Sequence, residues 1–308
     1  MDRPGAHFSA HPPPRRFADV SFEHPKASEP SFGGVAKLDN LSEKQKEQVE
    51  TQSRPNATLI HETIRAEGIS ELERANIALA LSGLAAGLSM GFSFITEGLL
   101  SHALPAGPAR NALAPLGYTV GFIIVVLGRQ QLFTENTLTP VLPLLHNRDR
   151  ATLNKLLRLW AVVLASNLIG AMAIAAILAH TSLFEPGTHA AFLELASKTI
   201  RDSFGVTFSR AVFAGWLIAL MVWLLPAAEG SRPAIIAIIT YVIALAQFSH
   251  VIAGSVDCIY LVFSGNATWG DFALRFFLPT LLGNMLGGIA LVAVLNYGQV
   301  APEVESND

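Results

Sequence analysis

From residue 76 onward the chain alternates long apolar runs with short polar ones. NIALALSGLAAGLSMGFSFITEGLL (76–100), the stretch at about 152–179, VTFSRAVFAGWLIALMVWLLP (206–226) and the stretch at about 272–297 each supply the roughly 20 residues that a bilayer-crossing helix needs. Two further runs are interrupted. One starts near 113, passes through YTVGFIIVVLG and enters LGRQQLFTENTLTP (127–140). There Arg129, Gln130, Gln131, Thr134, Glu135 and Asn136 stand at bilayer depth before VLPLL resumes the apolar pattern. The other, PAIIAIITYVIALAQF, starts at 233 and is interrupted by SHVIAGS (249–255). The pattern predicts an all-α integral membrane protein with six transmembrane helices, the second and fifth of them broken.

The interrupted helix is the second of residues 76–179 and also the second of residues 206–297. Interruptions at corresponding places in two halves point to an inverted repeat of the kind found in transport proteins. Irregular backbone at membrane depth is tolerated only where protein buries it or where it lines a watery cavity. Both breaks are therefore expected to meet near the midplane, at the narrowest part of a pathway. His250 lies at the second break, whereas the other eight histidines sit in tails, loops or span ends. A lone histidine on an apolar face is commonly structural, but an ionisable side chain inside a membrane is a functional candidate. Thr134, in the first break, offers a hydroxyl that can donate and accept. Gly83, Gly87 and Gly91 in the first span, and Gly283, Gly287 and Gly288 in the sixth, are spaced for close helix crossing.

Ahead of the spans the composition changes. Residues 1–76 hold 10 of the 21 Lys and Arg and 12 of the 24 Asp and Glu, which leaves the rest nearly free of charge and gives a mean hydropathy of +0.42 overall. Residues 1–55 are rich in Pro, Ser and charge and are expected to be a disordered cytoplasmic extension. Residues 56–75 are expected to be an amphipathic helix, with Leu59, Ile60, Ile64 and Ile69 set among charges. It would lie on the membrane or against the domain, or serve as a solvated lead-in. The transmembrane domain is then 76–297 and the tail 298–308. MDRPGAHFSAHPPPRR has no apolar core, so no cleaved secretory signal is expected there. Basic residues set the topology: Arg148, Arg150, Lys155 and Arg158 in one loop, Arg232 in another and ten in the extension place these segments, and both termini, in the cytoplasm.

The net charge of −3 and the lack of a basic stripe give no reason to expect nucleic acid. The single cysteine, Cys258, excludes an internal disulfide and a multi-cysteine metal site. No H-E-x-x-H or Walker sequence occurs, so no enzyme, metal centre or bound cofactor is expected.

Three motifs carry a family resemblance. Leu132-Phe133-Thr134, followed by Asn136-Thr137, resembles the Leu-Phe-Thr loop of the formate/nitrite transporter family. Phe248-Ser249-His250-Val251-Ile252-Ala253 is similar to its Phe-Glu-His-Ser-Ile-Ala stretch, and GNMLGG (283–288), containing Asn284, to its Gly-Asn-x-x-Gly-Gly. The resemblance covers about 76–297. It implies an aquaporin-like protomer fold, a homopentamer in the inner (plasma) membrane, and a pore in each protomer surrounded by lipid. The substrates it implies are small monovalent weak-acid anions such as formate or nitrite. By position it assigns Thr134 and His250 to a facing pair at the constriction, with Leu132 and Phe133 as apolar constriction residues. Phe122 and Tyr118 follow through the second span. Lys198 corresponds to a vestibule lysine that gathers anions.

The sequence departs from the family around these motifs. Gln131 replaces an acid, Glu135 a small residue, Arg129 a glycine or another small residue, Ser249 a glutamate and Gly254 an asparagine, while Asp257 follows the second break. Arg129 is expected to pair with Glu135, Asp257 or Glu97, or else to act as structural glue or an anion attractor. An anion would cross either after taking a proton or while held briefly by His250 and Thr134. Two other readings remain open: a channel for a small neutral solute or another ion, and a non-transporting sensor or scaffold that uses residues 1–75.

Overall fold

The computed structural model describes residues 55–304 together with Ser42. The expectations for the extension and for the end of the tail lie outside the described residues. A lead-in helix, Ala57–Glu73, starts at Asn56, whose side chain accepts the Leu59 N–H at 2.8 Å. An N-cap of this kind satisfies a donor that the first helical turn leaves free. The first span follows as Asn76–Ala103. The second begins as Pro108–Leu113, tightens through a 3₁₀ stretch, Ala114–Tyr118, and continues as Thr119–Leu127. After the first break the chain resumes as Val141–Asn147. The third span is Arg150–His180, capped by Asp149, which accepts the Thr152 N–H at 2.9 Å.

Phe204–Leu224 is the fourth span; Arg232–Leu245 and Ala253–Phe263 are the halves of the fifth. The sixth runs from Asp271 to Val304 and widens into π turns at Asp271–Phe277 and Ile289–Val294. Pro279 gives the first of these a cause: its ring crowds the carbonyl one turn back, and a wider turn relieves the clash. Among the described residues, four helices are long and apolar enough to cross a membrane unaided: Asn76–Ala103, Pro108–Leu127, Arg150–His180 and Phe204–Ala227. Each half of the fifth span is too short alone, because the two halves divide the bilayer between them.

Small residues bring the spans together in two equivalent pairs. The first span crosses the third, where a Cβ on Gly170 would lie 2.5 Å from Leu84 O and 2.8 Å from Gly87 Cα. The fourth crosses the sixth, where a Cβ on Gly283 would lie 2.5 Å from Phe208 O. The loop between the third and fourth spans folds into a further helix, Pro186–Ala196, that the apolar pattern did not reveal. It is too short to cross, and it packs Phe192 onto Phe94 and Tyr260 at centroid distances of 4.9 and 5.8 Å.

The lead-in helix seats under the first break. Gly68 lies against the Thr139 backbone and Pro143, and Ile64, Leu72 and His61 are buried. Arg158 donates to the Leu72 carbonyl at 2.7 Å, and Lys155 pairs with Glu73 at 2.5 Å. His61 lies between Trp223 and Tyr297, with Nδ1 on Glu62 at 2.9 Å and Nε2 without a partner. Burial holds the His61 pKa below its ordinary value, opposed in part by Glu62.

Candidate functional site

Both breaks use one device. In the first, Gln130 N–H bonds to Val125 O and Arg129 N–H to Val126 O; in the second, Phe248 N–H bonds to Ile243 O and Gln247 N–H to Ala244 O. Each pair forms a Schellman cap, which needs a left-handed residue just past the helix end. Arg129 (φ 50°) and Gln247 (φ 55°) take that conformation.

A buried asparagine then clamps the freed backbone. Asn167, in the third span, accepts the Phe133 N–H at 2.9 Å and donates to Gln131 O and Gly83 O, both at 2.8 Å. Asn284, in the sixth, accepts the Val251 N–H at 2.8 Å and donates to Ser249 O at 2.9 Å and Ala211 O at 2.8 Å. Arg129, Gln131, Leu132 and Phe133 thus correspond to Gln247, Ser249, His250 and Val251 without a gap. Each repeat holds three spans, so the second enters the membrane from the opposite side, and the two breaks meet head to head.

At the meeting point Thr134 Oγ1 lies 2.7 Å from His250 Nε2, and both side chains are buried. His250 Nδ1 accepts the Ala253 N–H at 3.2 Å. With that nitrogen used as an acceptor, Nε2 carries the ring hydrogen and donates it to Thr134. The threonine hydroxyl then has no acceptor for its own hydrogen among the described residues, so that hydrogen is free to be donated elsewhere. The Phe122 ring meets the imidazole edge-on at 5.0 Å and 82°, and Tyr118 packs behind Phe122 at 5.1 Å with its ring tilted by 40°.

Cavities flank this pair. The larger, about 500 Å³, has His250 in its wall together with Tyr118, Glu97, Asp257 and Lys198. Two ion pairs also line it, Arg110 with Glu194 at 2.7 Å and Arg210 with Asp202. The smaller, about 210 Å³, is bounded by Glu67, Arg129, Gln130, Gln131, Glu135 and Asn136. Leu132, Phe133, Thr134 and Phe122 line neither cavity and are buried. They fill the layer that separates the two, with Phe133 turned onto Trp160 of the third span at 6.1 Å.

Among the residues singled out in the sequence, Thr134, His250 and Phe122 come together, with Tyr118 one ring further out. Gln131 and Asn136 brace the loop through a 2.9 Å hydrogen bond, and Trp160 donates to Asn136 O at 2.8 Å. Asp257 and Lys198 stand in the larger cavity with Glu97, on the far side of the pair from Glu135. The expected partner of Arg129 is corrected. It pairs with Glu67 of the lead-in helix at 3.3 Å, not with Glu135, Asp257 or Glu97, and its side chain is 75% exposed. The Schellman turn points it away from the buried layer, so it carries no charge there. Asn167 was missed, although Asn167-Leu168-Ile169-Gly170-Ala171 echoes Asn284-Met285-Leu286-Gly287-Gly288 in the equivalent span. Ser82, which accepts the Gln131 N–H at 3.1 Å, gave no such signal.

Six spans, two of them broken at equivalent places and closed by one buried polar layer, define an aquaporin-like membrane protein of the transport class. The chain belongs to the formate/nitrite transporter family: a family model described as "Formate/nitrite transporter" matches residues 58–298. It is similar to inner membrane protein YfdC of Escherichia coli (strain K12), at 41% identity over 250 residues that cover 81% of each chain. The formate channel BtFdhC of Bacillus thuringiensis is 26% identical over 238 residues, 76% of this chain and 91% of that one. Two solved structures share the fold. An FNT family ion channel superposes with a TM-score of 0.69 at 17% identity, over 78% of this chain and 98% of that chain. A pentameric formate channel with formate bound gives 0.60 at 21%, over 72% and 96%.

Proposed function

We propose that this chain forms a pore for a small monovalent weak-acid anion such as formate or nitrite, passing from the larger cavity through the Thr134–His250 layer to the smaller one. The observation that carries this reading is the 2.7 Å contact between Thr134 Oγ1 and His250 Nε2, made by two opposed breaks with a cavity on either side. A bare anion in so dry a layer costs several kcal/mol. Two features lower that cost. Thr134 offers a hydroxyl hydrogen to the anion, and a proton taken on the way makes it a neutral acid.

We further infer a homopentamer in the inner membrane with the lead-in helix and both termini on the cytoplasmic side. Kinship with a pentameric formate channel and an inner membrane protein supports this, as does the basic bias of the loops. The smaller cavity is then the cytoplasmic mouth.

The test is uptake into proteoliposomes of formate, nitrite, acetate, lactate and hydrosulfide, with and without an inward proton gradient, for the wild type and His250→Ala. Faster entry of one acid under the gradient, lost in the variant, is the expected result. One observation favours a second reading, a pore for a neutral solute or another ion. With Arg110 and Arg210 paired, Glu97, Asp257 and Lys198 form no ion pair among the described residues, so acids outnumber bases at the larger mouth. Uptake of a neutral solute, indifferent to pH and with no acid transported, would replace the first reading with this one.

A further inference from the structure

Glu135 follows Thr134 directly and lines the smaller cavity, yet its position is unlike that of any other carboxylate there. Oε1 of Glu135 is sealed from solvent and has no hydrogen-bond partner. The amide oxygen of Gln130, in the wall of the same cavity, is also sealed and without a donor. The remaining charged groups around the cavity are engaged elsewhere. Arg129 is on Glu67 at 3.3 Å, Arg74 holds Glu71 at 3.0 Å, and Arg232 Nε donates to Leu225 O at 3.3 Å. No ion pair reaches Glu135 among the described residues, and Glu67 and Glu71 face it from the lead-in helix.

An ionised Glu135 would leave one oxygen bare and set a third carboxylate beside two others. Each unmet buried acceptor costs about 1–3 kcal/mol, and more when charged. A protonated Glu135 has the opposite need, an acceptor for its O–H, and Gln130 is an acceptor without a donor. One proton on Glu135, directed to Gln130 in the wall of the same cavity, would satisfy both side chains.

We propose that Glu135 is the proton-exchange residue of the pathway on the side of the lead-in helix, holding a proton that it shares with Gln130. In the transfer the Glu135 O–H bond breaks and the proton forms a bond to an oxygen of the anion, leaving a Glu135 carboxylate and the neutral acid. Hydronium in the smaller cavity restores the carboxyl and leaves water. The reverse sequence delivers a proton and an anion to that cavity. The transfer rests on the weak-acid reading above; the proton on Glu135 does not.

The test uses the full chain in proteoliposomes. Infrared difference spectra between acid and alkaline pH are expected to contain a protonated-carboxyl carbonyl band, part of which disappears in Glu135→Gln. In Gln130→Leu the same component is expected to persist at higher frequency, because its acceptor is gone. Gradient-driven formate uptake is expected to fall about a hundredfold in Glu135→Gln, in the range of a lost proton-transfer group. Glu135→Asp keeps a carboxyl and should keep the gradient response, which separates proton exchange from damage to the fold. A wild-type band unchanged by Glu135→Gln, or a gradient response that survives in that variant, overturns the proposal. If the wild type moves no formate, the weak-acid reading fails, and the infrared component still decides whether Glu135 holds the proton.

Discussion

Asn167 and Asn284 each make three hydrogen bonds to backbone, two to groups that a broken helix leaves unpaired and one to a carbonyl of an intact span, Gly83 or Ala211. Replacing either with leucine removes those bonds and strands buried peptide groups, at about 3 kcal/mol from a net value near 1 kcal/mol each. Thermal unfolding in detergent should register a similar loss for both variants, and a loss at only one would mean that the two clamps are not equivalent. Arg129 presents an opposing pair of effects. Its left-handed backbone costs a non-glycine residue about 1–2 kcal/mol, while its exposed pair with Glu67 returns about 1 kcal/mol at most. Arg129→Gly should therefore be neutral to slightly stabilising, and clear destabilisation would show that the ion pair dominates. The sequence made Thr134 and His250 legible because polar groups at bilayer depth are rare and costly. It misled on Arg129, since spacing along the chain does not reveal which way a Schellman turn aims a side chain.

The lead-in helix shows how elements are coupled. It carries only moderate apolar content, and its pattern alone left open lying on the membrane, docking against the domain, and solvation. Gly68, pressed on Thr139, and His61, buried beside Trp223 and Tyr297, decide for docking. The His61 pKa is lowered chiefly by burial, so the docked state favours the neutral ring. The groups around it are Glu62 and Arg65 on its own helix, His146 beyond the first break and Tyr297 of the sixth span. Docking is then complete above the ordinary histidine value of 6.5 and weakens as pH falls through it toward the lowered one. Protection of the Ala57–Glu73 amides, taken as exchange relative to the intrinsic rate at each pH, should fall on acidification in the wild type and stay constant in His61→Phe. An unchanged wild-type profile would remove His61 as the cause. The helix Pro186–Ala196 stayed hidden for a related reason: an eleven-residue segment that packs on neighbours lacks the length by which spans declare themselves.

At the scale of the whole molecule, six spans and two breaks could be read from the sequence, because lipid forces every backbone group to be satisfied locally and exceptions stand out. What could not be read is which polar groups share a cavity. Glu135 and Asp257 lie on opposite sides of the Thr134–His250 layer, although both sit within a few positions of a break. That separation can be tested with cysteine. Cys258 is buried, so the wild type should take up little of a membrane-impermeant maleimide. Asn111→Cys would place a thiol at the larger cavity and Arg232→Cys at the smaller. In right-side-out vesicles Asn111→Cys should label and Arg232→Cys should not; in inverted vesicles the pattern should reverse. Labelling of both from one side would mean either that the layer leaks or that the cavities share a face. Reversed labelling would invert the proposed topology while leaving the barrier intact. Repeating the experiment with Thr134→Ala separates closure from architecture. If the 2.7 Å contact closes the pathway, each thiol becomes reachable from both sides. If packing by Leu132, Phe133 and Phe122 closes it, sidedness survives, and the polar pair is left to handle the permeating species alone.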